Sequence, residues 1–191
     1  FMRTEMDYLV MDDCLERGLD ITAGGARYNY TGPQAVGLGD VADSLAALNK
    51  LVFEDKKFTM AEIIDAVDAD FEGNEVLRQT LINKAPKWGN DDDYVDDLAV
   101  EVVNIFCDEV SSYRNTRGGI YRPGVYSVSA NVPLGMHVAA LPNGKQSRKP
   151  LADGVAPVHG VDLTGPTAIV KSVAKLNHEK TNLGPGGPLA M

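Results

Sequence analysis

The stretch LPNGKQSRKPLADGVAPVHG, residues 141–160, contains Pro142, Pro150 and Pro157, Gly144, Gly154 and Gly160, the cations Lys145, Arg148 and Lys149, and His159. It has neither a helical nor a strand period. Prolines remove backbone donors and glycines permit left-handed turns, so the stretch reads as an irregular loop. Apolar runs flank it, YSVSANVPLG at 126–135 and GPTAIVKSVAKL at 165–176. Residues 125–132 alternate with β-branched side chains and read as a strand. Residues 167–176 are compact and apolar and fit a strand or a helix equally well.

Upstream the period changes to that of helices. Residues 1–17 place Met2, Met6, Leu9, Val10 and Cys14 on one stripe that Gly18 closes. DITAGGARYNYTGP, residues 20–33, has turn chemistry. Residues 40–53 read as a helix with an apolar face of Val41, Leu45, Leu48, Leu51 and Val52. Thr59 and Glu62 form a capping box before a third helix. Residues 75–83 give a short helix and residues 91–113 the longest, with Asp91, Asp92 and Asp93 at the positive end of its dipole. A helical front and a strand–loop–strand back predict an α/β layered or barrel architecture.

The chain has 191 residues, 44% hydrophobic and 24% charged, with a net charge of -9. That charge argues against nucleic acid or an anionic membrane as partner. No apolar run approaches the roughly 20 residues of a membrane-spanning helix. Cys14 and Cys107 are the two cysteines, and neither has a paired or metal-ligand spacing, which suits a reducing cytoplasm. The opening FMRTEMDYLV lacks the features of a signal peptide and suggests a segment of something longer.

Several features imitate functional sites. Asp68, Asp70 and Glu72 resemble half of a calcium loop, but its twelfth position is Gln79 and its flanking helices are short, so a solvated turn is expected. Cys14 and Glu16 lie two residues apart, which points them about 200° apart on a helix; both Cys14 and Cys107 read as core. His137, His159 and His178 have no second metal ligand at useful spacing, and His159, between Pro157 and Gly160, reads as structural. No metal site is expected. Gly24–Gly25 and Gly37–x–Gly39 lack the remainder of a phosphate-binding motif.

Four blocks in the same order carry a resemblance: GGARYNYTGPQAVGLGDVADSLAALNKLVF at 24–53, KWGNDDDYVDDLA at 87–99, ANVPLGMHVAALPNGKQSRKPLADGVAPVHGVD at 130–162 and TAIVKSVAKL at 167–176. Together they resemble the glycyl radical enzymes of the pyruvate formate-lyase superfamily. PLADGVAPVHG is more similar to the dehydratase, decarboxylase and amine-lyase branch than to formate acetyltransferase itself. The resemblance covers residues 1–177, and residues 178–191 depart from the family pattern.

It implies part of a ten-stranded α/β barrel with helices outside. It also implies a parent enzyme in which a cysteine loop and a radical-bearing glycine loop meet inside that barrel. The glycyl radical is installed by an activating enzyme that uses S-adenosylmethionine and an iron–sulfur cluster. The implied partners are the remainder of the parent, that activating enzyme, a small-molecule substrate and, at full length, a second copy. Candidate substrates are glycerol, propanediol, choline, an arylacetate or pyruvate. No cofactor is expected on this chain. Neither a GCVEP-like loop nor a glycyl loop occurs in the sequence, so the chain by itself is expected to be inactive, with Cys14 structural. Asn131, Val132 and Pro133 are the candidate substrate-binding wall. The competing reading is a truncated, non-catalytic subunit that binds the rest of a split enzyme. On either reading, open edges and exposed apolar faces predict self-association or marginal stability.

Overall fold

The computed structural model describes residues 11–181; the expected start of the first helix and most of the C-terminal tail lie outside them. The elements are α1 (Cys14–Arg17), a 3-10 turn (Ile21–Ala23), α2 (Leu38–Leu48) continued by a π turn (Asn49–Glu54), α3 (Met60–Asp68), α4 (Glu75–Lys84), α5 (Asp93–Ser111), α6 (Asn131–Gly135) and α7 (Pro166–Ala174). Among the described residues no helix is long and apolar enough to cross a membrane.

Local chemistry accounts for the boundaries. Gly18, at φ 62°, ends α1. Thr59 and Glu62 cap α3 reciprocally, with the Thr59 N–H donating to Glu62 Oε2 at 2.7 Å. Asp92 caps α5 by accepting from the Tyr94 N–H. Pro166 stands at the start of α7, where its missing N–H costs nothing, and the expected 167–176 run is helical as far as Ala174.

Two apolar clusters fill the interior. Leu38, Ala42 and Ala46 of α2 meet Val95, Ala99, Val103 and Cys107 of α5, and Trp88, Val125, Val155, Ile169, Val173 and Leu176 close around them. Ala47, Leu51, Ile63, Ala66, Phe71, Leu77, Leu81, Ala85 and Ala140 form the second.

The buried face of α2 and its continuation is only partly the one expected: Leu51 is buried, and Leu48 and Val52 pack against the second cluster. Val41 is 44% exposed, whereas Gly39, Asp40, Ala42, Asp43, Ala46 and Ala47 face inward. Small residues let α2 approach its neighbours closely. A Cβ on Gly39 would sit 3.1 Å from the Ala156 carbonyl oxygen.

The strand expected at 125–132 is also corrected. Among the described residues no strand forms, and Asn131–Gly135 is helical. The β pairing lies just upstream, where Thr31 pairs in parallel with Tyr121 and Gln34 with Gly124, in one register. Thr31 N–H donates to the Ile120 carbonyl, Arg122 N–H to Thr31, Gly124 N–H to Pro33 and Ala35 N–H to Gly124. Pro33 and Pro123 have no N–H, so the ladder is interrupted between the two bridges. Beyond Gly124 the chain turns to the 141–160 loop, and Val128 N–H donates to Asp153 Oδ1 at 2.7 Å.

An ion cluster ties α7 to the start of α5. Asp96 is fully buried and accepts from Ser172 Oγ at 2.9 Å and Lys175 Nζ at 2.7 Å. Lys175 also reaches Asp93 at 2.6 Å and Asp91 at 3.2 Å. These contacts hold its ammonium well above the usual lysine range, while burial pushes the Asp96 carboxyl up. Removing one partner of a buried pair leaves the other charge uncompensated. Lys175→Met is therefore expected to lower unfolding stability by about 3 kcal/mol in urea denaturation; a change within error would show that the cluster adds nothing.

Candidate functional site

The 141–160 loop is braced along its length. Asn143 turns it, accepting the Lys145 N–H on its own side chain at 2.9 Å. Arg78 Nε of α4 donates to the Gly144 carbonyl at 3.0 Å, and Asp70 Oδ1 accepts the Ser147 N–H at 2.7 Å. Asp70, part of the calcium-like sequence, is thus a brace for the loop, and neighbouring Phe71 is core.

Asn131 exchanges two hydrogen bonds with Leu151: its carbonyl accepts the Leu151 N–H at 3.2 Å and its amide donates to the Leu151 carbonyl at 3.0 Å. Asp40 of α2, 1% exposed, accepts from Asn143 Nδ2 at 2.9 Å and from the Ala152 N–H at 2.6 Å. Trp88 carries the next contact. Its indole N–H donates to the Val155 carbonyl at 2.8 Å, and its backbone N–H donates to Asp43 Oδ1 at 2.7 Å. Further on, Asn90 Nδ2 donates to the Val161 carbonyl at 2.8 Å.

Between this loop, α4 and α6 lies a cavity of about 580 Å³. Asp43, Arg78, Lys87, Lys145 and Lys149 supply its charged lining, and Ile82, Leu151, Val158 and Val161 are among its apolar walls. Asn131 and Val132 line it and Pro133 does not. Asn131 is buried with its amide committed to the loop, Val132 is half exposed at 50%, and Pro133 is exposed. His159 lines the cavity and is exposed, whereas His137 and His178 lie on the surface elsewhere. Among the described residues no group of three His, Cys, Asp or Glu side chains is placed to hold a metal.

The buried acids are perturbed by their surroundings. Desolvation pushes the Asp43 carboxyl up to about 7, against the pull of Lys87 and the Trp88 N–H. Desolvation also raises Asp40, opposed by the Ala152 N–H, the Asn143 amide and Lys145. Lys87 is 8% exposed, and its burial lowers its pKa.

Sequence reading missed Asp40, Asp43 and Lys87. The available signal was a pair of acids, three residues apart, among the small residues of one helix. Neither cysteine opens on the cavity. Cys14 is fully buried, and Cys107 lies in the core with its thiol pushed up by burial.

The fold of the chain is similar to that of solved glycyl radical enzymes. The chain superposes on the B12-independent glycerol dehydratase of Clostridium butyricum with a TM-score of 0.82, 46% identity, and coverage of 87% of this chain and 21% of that one. It superposes on a glycyl radical enzyme of Archaeoglobus fulgidus with a TM-score of 0.87, 41% identity, and coverage of 94% and 23%. It is 43% identical over 172 residues to trans-4-hydroxy-L-proline dehydratase of Clostridioides difficile, covering 90% of this chain and 22% of that protein. Residues 1–135 match the family model described as Pyruvate formate lyase-like, and the chain belongs to that family. Within it, its similarity is to the radical dehydratases and lyases. The chain spans about a fifth of the length of these relatives.

The raised Asp43 gives stability a pH dependence. A folded chain that keeps a proton up to about pH 7, which free aspartate releases near 3.8, gains most below 3.8 and loses that gain as pH rises through 7. Asp40 acts in the same direction. Asp43→Asn keeps an acceptor for the Trp88 N–H and removes the titration. Thermal unfolding across pH 4–8 is expected to show a shallower decline in this variant than in the parent chain; an unchanged slope would exclude Asp43 as its source.

Proposed function

We propose that the chain is the loop-bearing segment of a glycyl radical dehydratase. In that parent, a radical held on a glycine passes to a cysteine, which takes hydrogen from a substrate C–H bond so that a neighbouring leaving group departs. Carbon–nitrogen or carbon–carbon cleavage is the same chemistry with another leaving group. The observation that carries this reading is 46% identity, at a TM-score of 0.82, to a glycerol dehydratase across 87% of the chain.

In this role the segment supplies walls and braces. Asp40, Asp43 and Trp88 fix the 141–160 loop, and Asn131 and Val132 present the turn opposite it. The interrupted parallel pairing of Thr31 and Gln34 with Tyr121 and Gly124 is the part that extends into the ten-stranded barrel of the parent. Its partners are the remainder of the parent, an activating enzyme that uses S-adenosylmethionine and an iron–sulfur cluster, a small substrate and a second full-length copy. With Cys14 and Cys107 buried, the segment alone runs no radical step.

Electron paramagnetic resonance tests this. The 191-residue chain, treated anaerobically with a glycerol dehydratase activating enzyme, is expected to give no glycyl doublet and no dehydration of glycerol or propanediol. Joined to the remaining sequence of a relative, it is expected to give both. A radical or turnover in the isolated chain would overturn the assignment, as would a joined protein that acquires its radical yet dehydrates nothing.

A further inference from the structure

We propose that the cavity beneath the 141–160 loop binds a small amphiphilic organic anion, a carboxylate or sulfonate on a short branched apolar body. The inference concerns this chain's own walls and does not rest on the reaction proposed above.

Lys87 carries it. The residue lines the cavity and is only 8% exposed. An ammonium has three N–H donors, and Lys87 Nζ gives one to the Leu81 carbonyl at 2.9 Å. Asp43 acts on it through space, and no ion pair joins Lys87 to a carboxylate among the described residues. A buried ammonium with unused donors is costly unless an acceptor, best an anionic one, completes it.

The surrounding wall has the same sign. Arg78, Lys145 and Lys149 line the cavity, with Asp43 as the acid among them. Arg78 is held by the Gly144 carbonyl at 3.0 Å and is paired with Glu75 at 2.9 Å, so the uncompensated positive charge beside the roof loop comes from Lys145, held by the Gln146 carbonyl at 3.2 Å, and Lys149. Asp43, pushed up to about 7 by desolvation, does not oppose these cations with a full charge at neutral pH.

The remaining walls set the rest of the ligand. Ile82, Val132, Leu151 and Val158 are apolar, and about 580 Å³ is the size of an ordinary small-molecule site. An inorganic anion would leave these walls in contact with water. A neutral apolar molecule would leave the Lys87 donors unsatisfied. An anionic head on an apolar body meets both demands.

Isothermal titration of the 191-residue chain with isocaproate, isoamyl sulfonate, isocaproamide and inorganic sulfate tests this. At least one organic anion is expected to bind about tenfold more tightly than both the amide and sulfate. Binding of one head group and not the other upholds the site and fixes its preference. Lys87→Met is expected to weaken that binding about tenfold and Lys149→Gln, at the exposed rim, about threefold. The rim variant also serves if Lys87→Met fails to fold. Equal affinity for isocaproate and its amide, no binding of either organic anion, or full affinity in Lys149→Gln together with any folded Lys87→Met would overturn the proposal.

Discussion

The carboxylate of Asp40 is the joint on which the molecule depends. It is buried at the start of α2, and its two oxygens receive N–H groups from Asn143 and Ala152, nine residues apart in an otherwise irregular loop. An ionised carboxylate only accepts, so it can hold backbone and side-chain donors that water would otherwise satisfy. Gly39 next to it admits the loop backbone at close range. Through that contact the loop gains a fixed path, and with it the cavity gains a roof.

Burying acids is unfavourable unless each finds donors, and the fold solves the same problem three times. Asp40 uses the loop, Asp43 uses the Trp88 backbone, and Asp96 uses Ser172 and Lys175. These three acids link the sequence blocks that make the chain resemble its family. α2 is joined to the residues before α5, α5 to α7, and the loop, through Asn143 and Ala152, to α2. The blocks meet in space, each supplying the partner that another requires.

Much of the fold was legible from local chemistry. The Thr59–Glu62 capping box, the terminator Gly18 and the long period of α5 each act within a few residues, so the sequence shows them directly. Pro166 after Gly165 could have decided for helix in the following run, because proline favours a first helical position. The buried face of α2 and its continuation was legible only at its C-terminal end, through Leu48, Leu51 and Val52. An apolar stripe through Val41 looks better in isolation, and only N–H groups distant in sequence, those of the loop for Asp40 and of Trp88 for Asp43, make a stripe with two acids the stable choice. The strand expected at 125–132 failed for a related reason. Alternation specifies a surface but not a partner, and the available partner, Thr31–Ala35, pairs with the preceding residues instead. Of the nominated wall, Asn131 and Val132 line the cavity while Pro133 does not. Its cations come from α4, the Lys87 turn and the loop, and that gathering is invisible to spacing rules.

The most direct test of the central role of Asp40 is amide hydrogen exchange in Asp40→Ala. The expected result is exchange about tenfold faster or more at residues 143–152, with the amides of α3 unchanged, because local opening reports the loss of a local brace. Loop amides that exchange at the parent rate would contradict the dependence of the loop, and of the cavity it roofs, on this one carboxylate.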